Sequence, residues 1–129
     1  MTNPAYAVII EDDKLNAKVL ETLLRQEGIT VTIISDPANT LTVLADKPTP
    51  AVIFLDLEMP HLDGYEVLVM LRQQYGQSVP IAAYTVHISE LTTAVGKGFN
   101  GFFSKPINGA TFHDNLAQLL RGEQALSLQ

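Results

Sequence analysis

Glu11, Asp12 and Asp13 follow directly on the apolar run Ala7-Val8-Ile9-Ile10, and three other polar residues stand in the same relation to short apolar runs. Asp56 follows Val52-Ile53-Phe54-Leu55, Thr85 follows Ile81-Ala82-Ala83-Tyr84, and Lys105 follows Phe102-Phe103-Ser104. Two like charges about 4 Å apart repel by on the order of 4 kcal/mol at an effective dielectric of 20, so carboxylates gathered in one crevice call for a cation. The chain has no cysteine, and oxygen donors in an incomplete cage, completed by water and phosphate, suit Mg²⁺. Asp12 and Asp56 are the candidate direct ligands, with Glu11 acting through water. A carboxylate beside such an ion can attack phosphorus in line, which makes Asp56 the candidate nucleophile. Lys105 would offer a compact positive charge to phosphoryl oxygens, and Thr85 a hydroxyl donor.

These groups meet only if each apolar run is a strand and all the strands point the same way. In a parallel α/β sheet the carboxyl ends share one edge, where ligands bind. The spacing supports this. Tyr6 to Ile10 reads as a strand, followed by Leu15, Val19, Leu23 and Leu24 at helical intervals up to Gly28. Ile29 to Ile34 is rich in β-branched residues, and Asp36-Pro37 then opens a helix carrying Leu41, Val43 and Leu44. Ala51 to Leu55 is continuously apolar, as in a strand covered on both faces. Asp63, with Glu66 three residues on, resembles a capping box for a helix bearing Val67, Leu68 and Leu71. Val79 to Tyr84 reads as a fourth strand, Ser89 as the cap of a short helix ending near Gly96 to Gly98, and Gly101 to Ser104 as a fifth strand. Asn108 caps a last helix with Phe112, Leu116, Leu119 and Leu120 on its apolar face and Gly122 at its stop.

Five alternating βα units predict a doubly wound, flavodoxin-like (βα)5 three-layer sandwich, with a five-stranded parallel sheet in the order 2-1-3-4-5. That order puts the topological switch between the strands ending in Glu11-Asp12 and in Asp56. Residues 1–122 are expected to form this one domain, and 123–129 a C-terminal tail or truncated linker.

At 129 residues, with 47% hydrophobic and 17% charged side chains, one globular core is expected. A net charge of -6 and a pI of about 4.8 argue against a surface that holds nucleic acid phosphates. No run approaches the roughly 18 apolar residues of a membrane helix, and residues 1–10 lack a basic leader, so no membrane association and a cytoplasmic location are expected.

Together the motifs resemble the receiver domain of two-component response regulators, over nearly the whole chain. The stretches that carry the resemblance are Val8-Ile9-Ile10-Glu11-Asp12-Asp13, Phe54-Leu55-Asp56-Leu57-Glu58-Met59-Pro60 with Asp63-Gly64, Tyr84-Thr85, and Phe103-Ser104-Lys105-Pro106. The resemblance implies phosphorylation of Asp56 by a histidine kinase or histidine phosphotransfer partner, with the main-chain carbonyl of Glu58 completing the Mg²⁺ site. It implies a switch in which Thr85 moves toward the phosphoryl group and the aromatic residue at 102 turns inward. Phe102 stands where the family often has tyrosine, so it keeps the ring's packing but lacks a hydroxyl. It further implies that Glu58 and His87, both bulky and polar here, set phosphoryl lifetime by screening or orienting the attacking water, and that Val86, where smaller residues are common, crowds access. A homodimer or a downstream protein would use the face from Ser89 to Leu120.

Taken singly, each motif has a plainer reading. An acidic triplet is usually a solvated helix start, Asp56 a turn cap, Thr85 a strand end and Lys105 a loop residue. His61 and His113 read as surface positions, Asn16 as a solvent-facing helical residue, and Phe99 and Phe103 as core. Their order, each at the end of a separate strand, favours the functional reading. A small aspartyl-nucleophile phosphohydrolase is the alternative enzyme class. It usually carries a second aspartate two residues after the nucleophile, where this chain has Glu58, and a cap domain for which there is no room. A degenerate receiver acting only as a binding module would have no need of adjacent uncompensated carboxylates.

Overall fold

The computed structural model describes residues 5–60 and 62–128; His61 lies outside them. Strands and helices alternate along the chain: β1 (Tyr6–Ile10), α1 (Lys14–Gln26), β2 (Thr30–Ile34), α2 (Thr40–Leu44), β3 (Val52–Asp56), α3 (Gly64–Tyr75), β4 (Ile81–Thr85), α4 (Leu91–Lys97), β5 (Gly101–Ser104), α5 (Gly109–Leu120) and β6 (Ala125–Ser127). The strands form one parallel sheet in the order β2-β1-β3-β4-β5-β6. The expected flavodoxin-like topology is therefore present, with one strand more than expected.

Alternation along the central strands divides the core into two layers. Ala7, Ile9, Val52, Phe54, Ala82, Tyr84 and Phe103 face α1 and α5, where they meet Leu20, Leu24, Phe112, Leu116 and Leu119. Val8, Ile10, Ile53, Leu55, Ile81, Ala83 and Phe102 face the other way, onto Leu44, Val67, Leu68, Leu71 and Ala94 of α2, α3 and α4. Strands covered on both sides must be apolar at every position, which is why β1 and β3 read as unbroken runs.

The helix starts follow local chemistry. Asp13, Asp63 and Asn108 accept hydrogen bonds from Asn16, Tyr65 and Ala110 N–H at 2.9, 2.9 and 3.0 Å, satisfying donors that the first turn leaves unpaired. Asp36 caps a 3-10 turn, Pro37–Asn39, that leads into α2. The helix expected from Ser89 starts instead at Leu91, after a 3-10 turn and with no side-chain cap.

Apolar assignments on three helices differ from the periodicity reading. Leu15 and Val19 of α1 are exposed, and the buried stripe is Ala17, Leu20 and Leu24; both sets recur at helical spacing, and sequence does not say which one meets the sheet. Leu41 and Val43 are likewise exposed on α2, leaving Leu44 to bury, and at the last residue of α5 Leu120 is exposed while Phe112, Leu116 and Leu119 are buried.

Residues 123–129 were expected to be a tail, but Ala125–Ser127 pairs with β5. Three residues give no readable period, and the strand depends on a neighbour. A Cβ at Gly101 would lie 3.2 Å from both Ala82 Cβ and Leu119 Cδ1 and 3.3 Å from the Ala125 carbonyl oxygen. The missing side chain lets β6 and α5 close on β5.

At the sheet edge opposite the strand ends, Arg72 ties three elements together. Its guanidinium donates to the carbonyls of Gly76 (3.2 Å), Val79 (2.8 Å) and Gly98 (3.0 Å) and to Asn100 Oδ1 (2.6 Å). Asn100 Oδ1 also accepts from Ile81 N–H at 2.9 Å. Arg72→Met keeps the apolar stem but removes the side-chain donor to the part-buried Val79 O and one of the two donors to Asn100 Oδ1, so it should lower unfolding free energy by about 1–3 kcal/mol, measured by urea denaturation.

Candidate functional site

Strand register delivers the acidic residues to one place. Ile10 pairs level with Leu55, so Glu11 and Asp56, one residue on, leave adjacent strands at the same height. Hydrogen bonds extend past the strand ends into the site. Glu11 N–H donates to Ile34 O at 3.0 Å, Leu57 N–H to Tyr84 O at 3.2 Å, and Lys105 N–H to Thr85 O at 2.8 Å. The backbone at Glu11, Asp56 and Lys105 is thereby held by the sheet.

Lys105 is the centre of the charge arrangement. Its ammonium lies 3.0 Å from Glu11 Oε1, 3.1 Å from Asp56 Oδ1 and 3.8 Å from Glu58 Oε2. The first two partners are buried, and its own side chain is only 9% exposed. Asp56 Oδ1 also accepts from Glu58 N–H at 2.9 Å. Glu11 Oε1 also accepts from the Tyr84 hydroxyl at 2.9 Å, and Glu11 Oε2 faces Asp13 N–H at 3.3 Å.

Carboxylates in such proximity divide their protons unequally. Burial, then the neighbouring Asp56, push the Glu11 carboxyl up to about 7. Burial acts upward on Asp56 too, but its hydrogen bonds with Glu11 and Glu58 and the charge of Lys105 outweigh it and hold Asp56 below the usual range. For Lys105, burial works against the charged form, yet Asp56 and Glu11 prevail and raise its pKa. Burial and Glu11 likewise raise the Tyr84 phenol, so it remains a donor. The stable ground state is an ionised Asp56 against an ammonium.

Glu11, Asp12 and Asp56 present carboxylate oxygens that all lie within 4.8 Å of one another, with Asp12 exposed and the other two buried. Two direct ligands of an octahedral Mg²⁺ are at most about 4.2 Å apart, so this spread fits direct and water-bridged ligands around one hard cation. The donor set is entirely oxygen, as Mg²⁺ prefers.

The remaining expected site residues fall on the other side of Asp56. The Thr85 hydroxyl donates to Glu58 Oε1, which also accepts from Val86 N–H at 3.0 Å. Thr85 Oγ1 in turn accepts from His87 N–H at 3.0 Å. The exposed His87 ring reaches within 3.9 Å of the same Glu58 oxygen, and Val86 is exposed. Phe102 is enclosed in the core on the α4 side, with Ala94 and Phe99 in the same cluster. The ring already faces inward, and it brings no hydroxyl that would need a partner. His113 is exposed and pairs with Glu27, away from the site, and Asn16 is exposed on α1.

Sequence reasoning missed Tyr84, whose hydroxyl reaches Glu11 and whose ring centre lies 4.4 Å from the Lys105 ammonium. It looked like one more apolar strand residue. The available signal was a phenol one position from a strand's carboxyl end, beside the acids.

The family model for the response regulator receiver domain matches residues 7–117. Protein RcaC of Microchaete diplosiphon is 30% identical over 126 residues, spanning 95% of this chain and 19% of that protein. The osmosensing histidine protein kinase SLN1 of Saccharomyces cerevisiae is 30% identical over 107 residues, 78% of this chain and 9% of that protein. The chain thus spans about a fifth of the first relative's length and less of the second's. A crystal structure of a response regulator from Chloroflexus aurantiacus superposes with a TM-score of 0.82 over 92% of this chain and 99% of that one, at 24% identity, a likeness of fold. The chain belongs to the response regulator receiver domain family of two-component signalling. Among the described residues, no helix is long and apolar enough to cross a membrane.

Lys105→Met would leave Glu11 and Asp56 buried without their counter-charge. Removing one member of a buried ion pair costs about 3–5 kcal/mol, and a loss of that order in urea denaturation is expected, partly recovered when Asp56→Asn is added.

Proposed function

We propose that this receiver takes a phosphoryl group from the phosphohistidine of a histidine kinase or phosphotransfer protein onto Asp56, in a reaction that requires Mg²⁺. The observation that carries this reading is the position of the Asp56 carboxyl group, buried beside Lys105 and within reach of the Glu11 and Asp12 carboxylates. A carboxylate oxygen of Asp56 attacks phosphorus, the new O–P bond replaces the P–N bond, and the imidazole leaves. Asp12, Asp56 and the main-chain carbonyl of Glu58 would hold the ion, with Glu11 acting through water. When bound, the ion neutralises charge on the transferring group. Lys105 moves from carboxylate to phosphoryl oxygen, and Thr85 donates its hydroxyl there. The chain itself is a signalling element that catalyses only its own phosphorylation and dephosphorylation.

Glu58 gives this reaction a built-in competitor. Its carboxylate engages the Thr85 hydroxyl and Val86 N–H and lies near Lys105. These are donors that an incoming phosphoryl group would need, so the side chain must withdraw before they can serve. His87, beside the same carboxylate, would act with it on the lifetime of the modified state. Phe102, packed behind the site, would adjust when Thr85 moves.

Docking on the Ser89 to Leu120 face, by a second copy or a downstream protein, would differ from the expectation in one respect. β6 pairs with β5, so a partner there meets α4, α5 and the added strand.

Treatment with acetyl phosphate and Mg²⁺ should add one phosphoryl group by intact mass, and Asp56→Asn should abolish it. Continuous turnover of phosphate esters without a stoichiometric adduct would overturn the reading. Glu58→Ala removes the competing carboxylate but not the main-chain carbonyl. It should accelerate phosphorylation by the same donor about 3- to 10-fold, equivalent to about 0.7–1.4 kcal/mol, measured from the rate of adduct formation.

A further inference from the structure

We infer that Tyr84 is a positioning residue for the acidic cluster, holding Glu11 in place by its hydroxyl and Lys105 by its ring. This rests on the reading that Glu11, Asp12 and Asp56 bind a divalent cation.

The contacts are specific. Tyr84 is 1% exposed, and its side chain lies on the α1 and α5 side of the sheet, among Ile9, Phe54 and Phe103. From there the hydroxyl meets Glu11 Oε1 at 2.9 Å. Lys105 meets the same oxygen at 3.0 Å and stands 4.4 Å from the ring centre, within the range of a cation–π interaction. Two donors therefore pin one oxygen of Glu11 and leave Oε2 turned toward Asp13 N–H, at 3.3 Å.

The arrangement matters because Lys105 has competing duties. It is shared among Glu11, Asp56 and Glu58, and a phosphoryl group on Asp56 would draw it further. Glu11, whose side chain is wholly buried, would then lose a partner at the moment its orientation matters most. The Tyr84 hydroxyl stays on Glu11 whichever oxygen Lys105 serves. A phenylalanine or leucine at 84 would fill much the same volume without this restraint. Partners that orient metal-binding side chains typically contribute 10- to 100-fold in affinity.

Tyr84→Phe isolates the hydroxyl. Free Mn²⁺, followed by electron paramagnetic resonance during titration, should show the dissociation constant of the variant about 10-fold above that of the parent. Circular dichroism should be unchanged. With acetyl phosphate, the Mg²⁺ concentration giving half-maximal rate should rise by the same factor, while the rate at saturating Mg²⁺ stays within about 2-fold, a separation that general loosening would not produce. In a Glu11→Gln background the substitution should have no further effect on Mn²⁺ affinity. Equal affinity of Tyr84→Phe and the parent would overturn the inference, whereas failure of the parent itself to bind Mn²⁺ would overturn the metal-site reading instead. The Tyr84 hydroxyl proton, observed by nuclear magnetic resonance in the unaltered protein, needs no variant: it should shift on Mg²⁺ addition, and a resonance unmoved by Mg²⁺ also counts against the inference.

Discussion

The Lys105 ammonium is what allows two acids to be buried at adjacent strand ends. Glu11 and Asp56 leave neighbouring strands at the same height, and their side chains are almost completely shielded. Burying even one unpaired carboxylate is expensive, so the pair is tolerable only with a cation between them. The lysine directly follows β5, and β3 and β4 lie between β5 and β1, so its placement requires the whole central order β1-β3-β4-β5. Electrostatics at the edge and topology of the sheet thus depend on each other.

The two ends of the sheet are built for different purposes. At the amino end of β4, the neutral acceptors Val79 O and Asn100 Oδ1 are satisfied by Arg72 in a fixed lattice of hydrogen bonds. At the carboxyl end the groups are charged and shared: Lys105 faces Glu11, Asp56 and Glu58, and Glu58 Oε1 accepts from both the Thr85 hydroxyl and Val86 N–H. The hydrogen bonds at the far end hold the strands independently of the charged contacts at the near end.

Much of this was legible in the residues. Short apolar runs followed by polar residues gave the strands, their direction and the edge where Glu11, Asp12, Asp56, Thr85 and Lys105 meet, because doubly covered strands and capped helices obey local rules. What escaped depended on relations between distant residues. Leu15 and Val19 keep the same period as Ala17 and Leu20, and only packing selects between them. β6 is too short to show a pattern and exists by virtue of β5 and Gly101. Tyr84 reads only as part of an apolar strand, because a tyrosine buried for its ring and one buried for its hydroxyl look identical in sequence.

β6 also changes the standing of α5. In a five-stranded sheet that helix would be tied through the chain at its start alone, its far end held only by the side-chain packing of Leu116 and Leu119. Here it is a link between two paired strands, β5 and β6, so it cannot peel from the sheet while both ends stay anchored. Opening of α5 is thereby coupled to breaking the outermost strand pairing, and the two should exchange amide hydrogens as one cooperative unit.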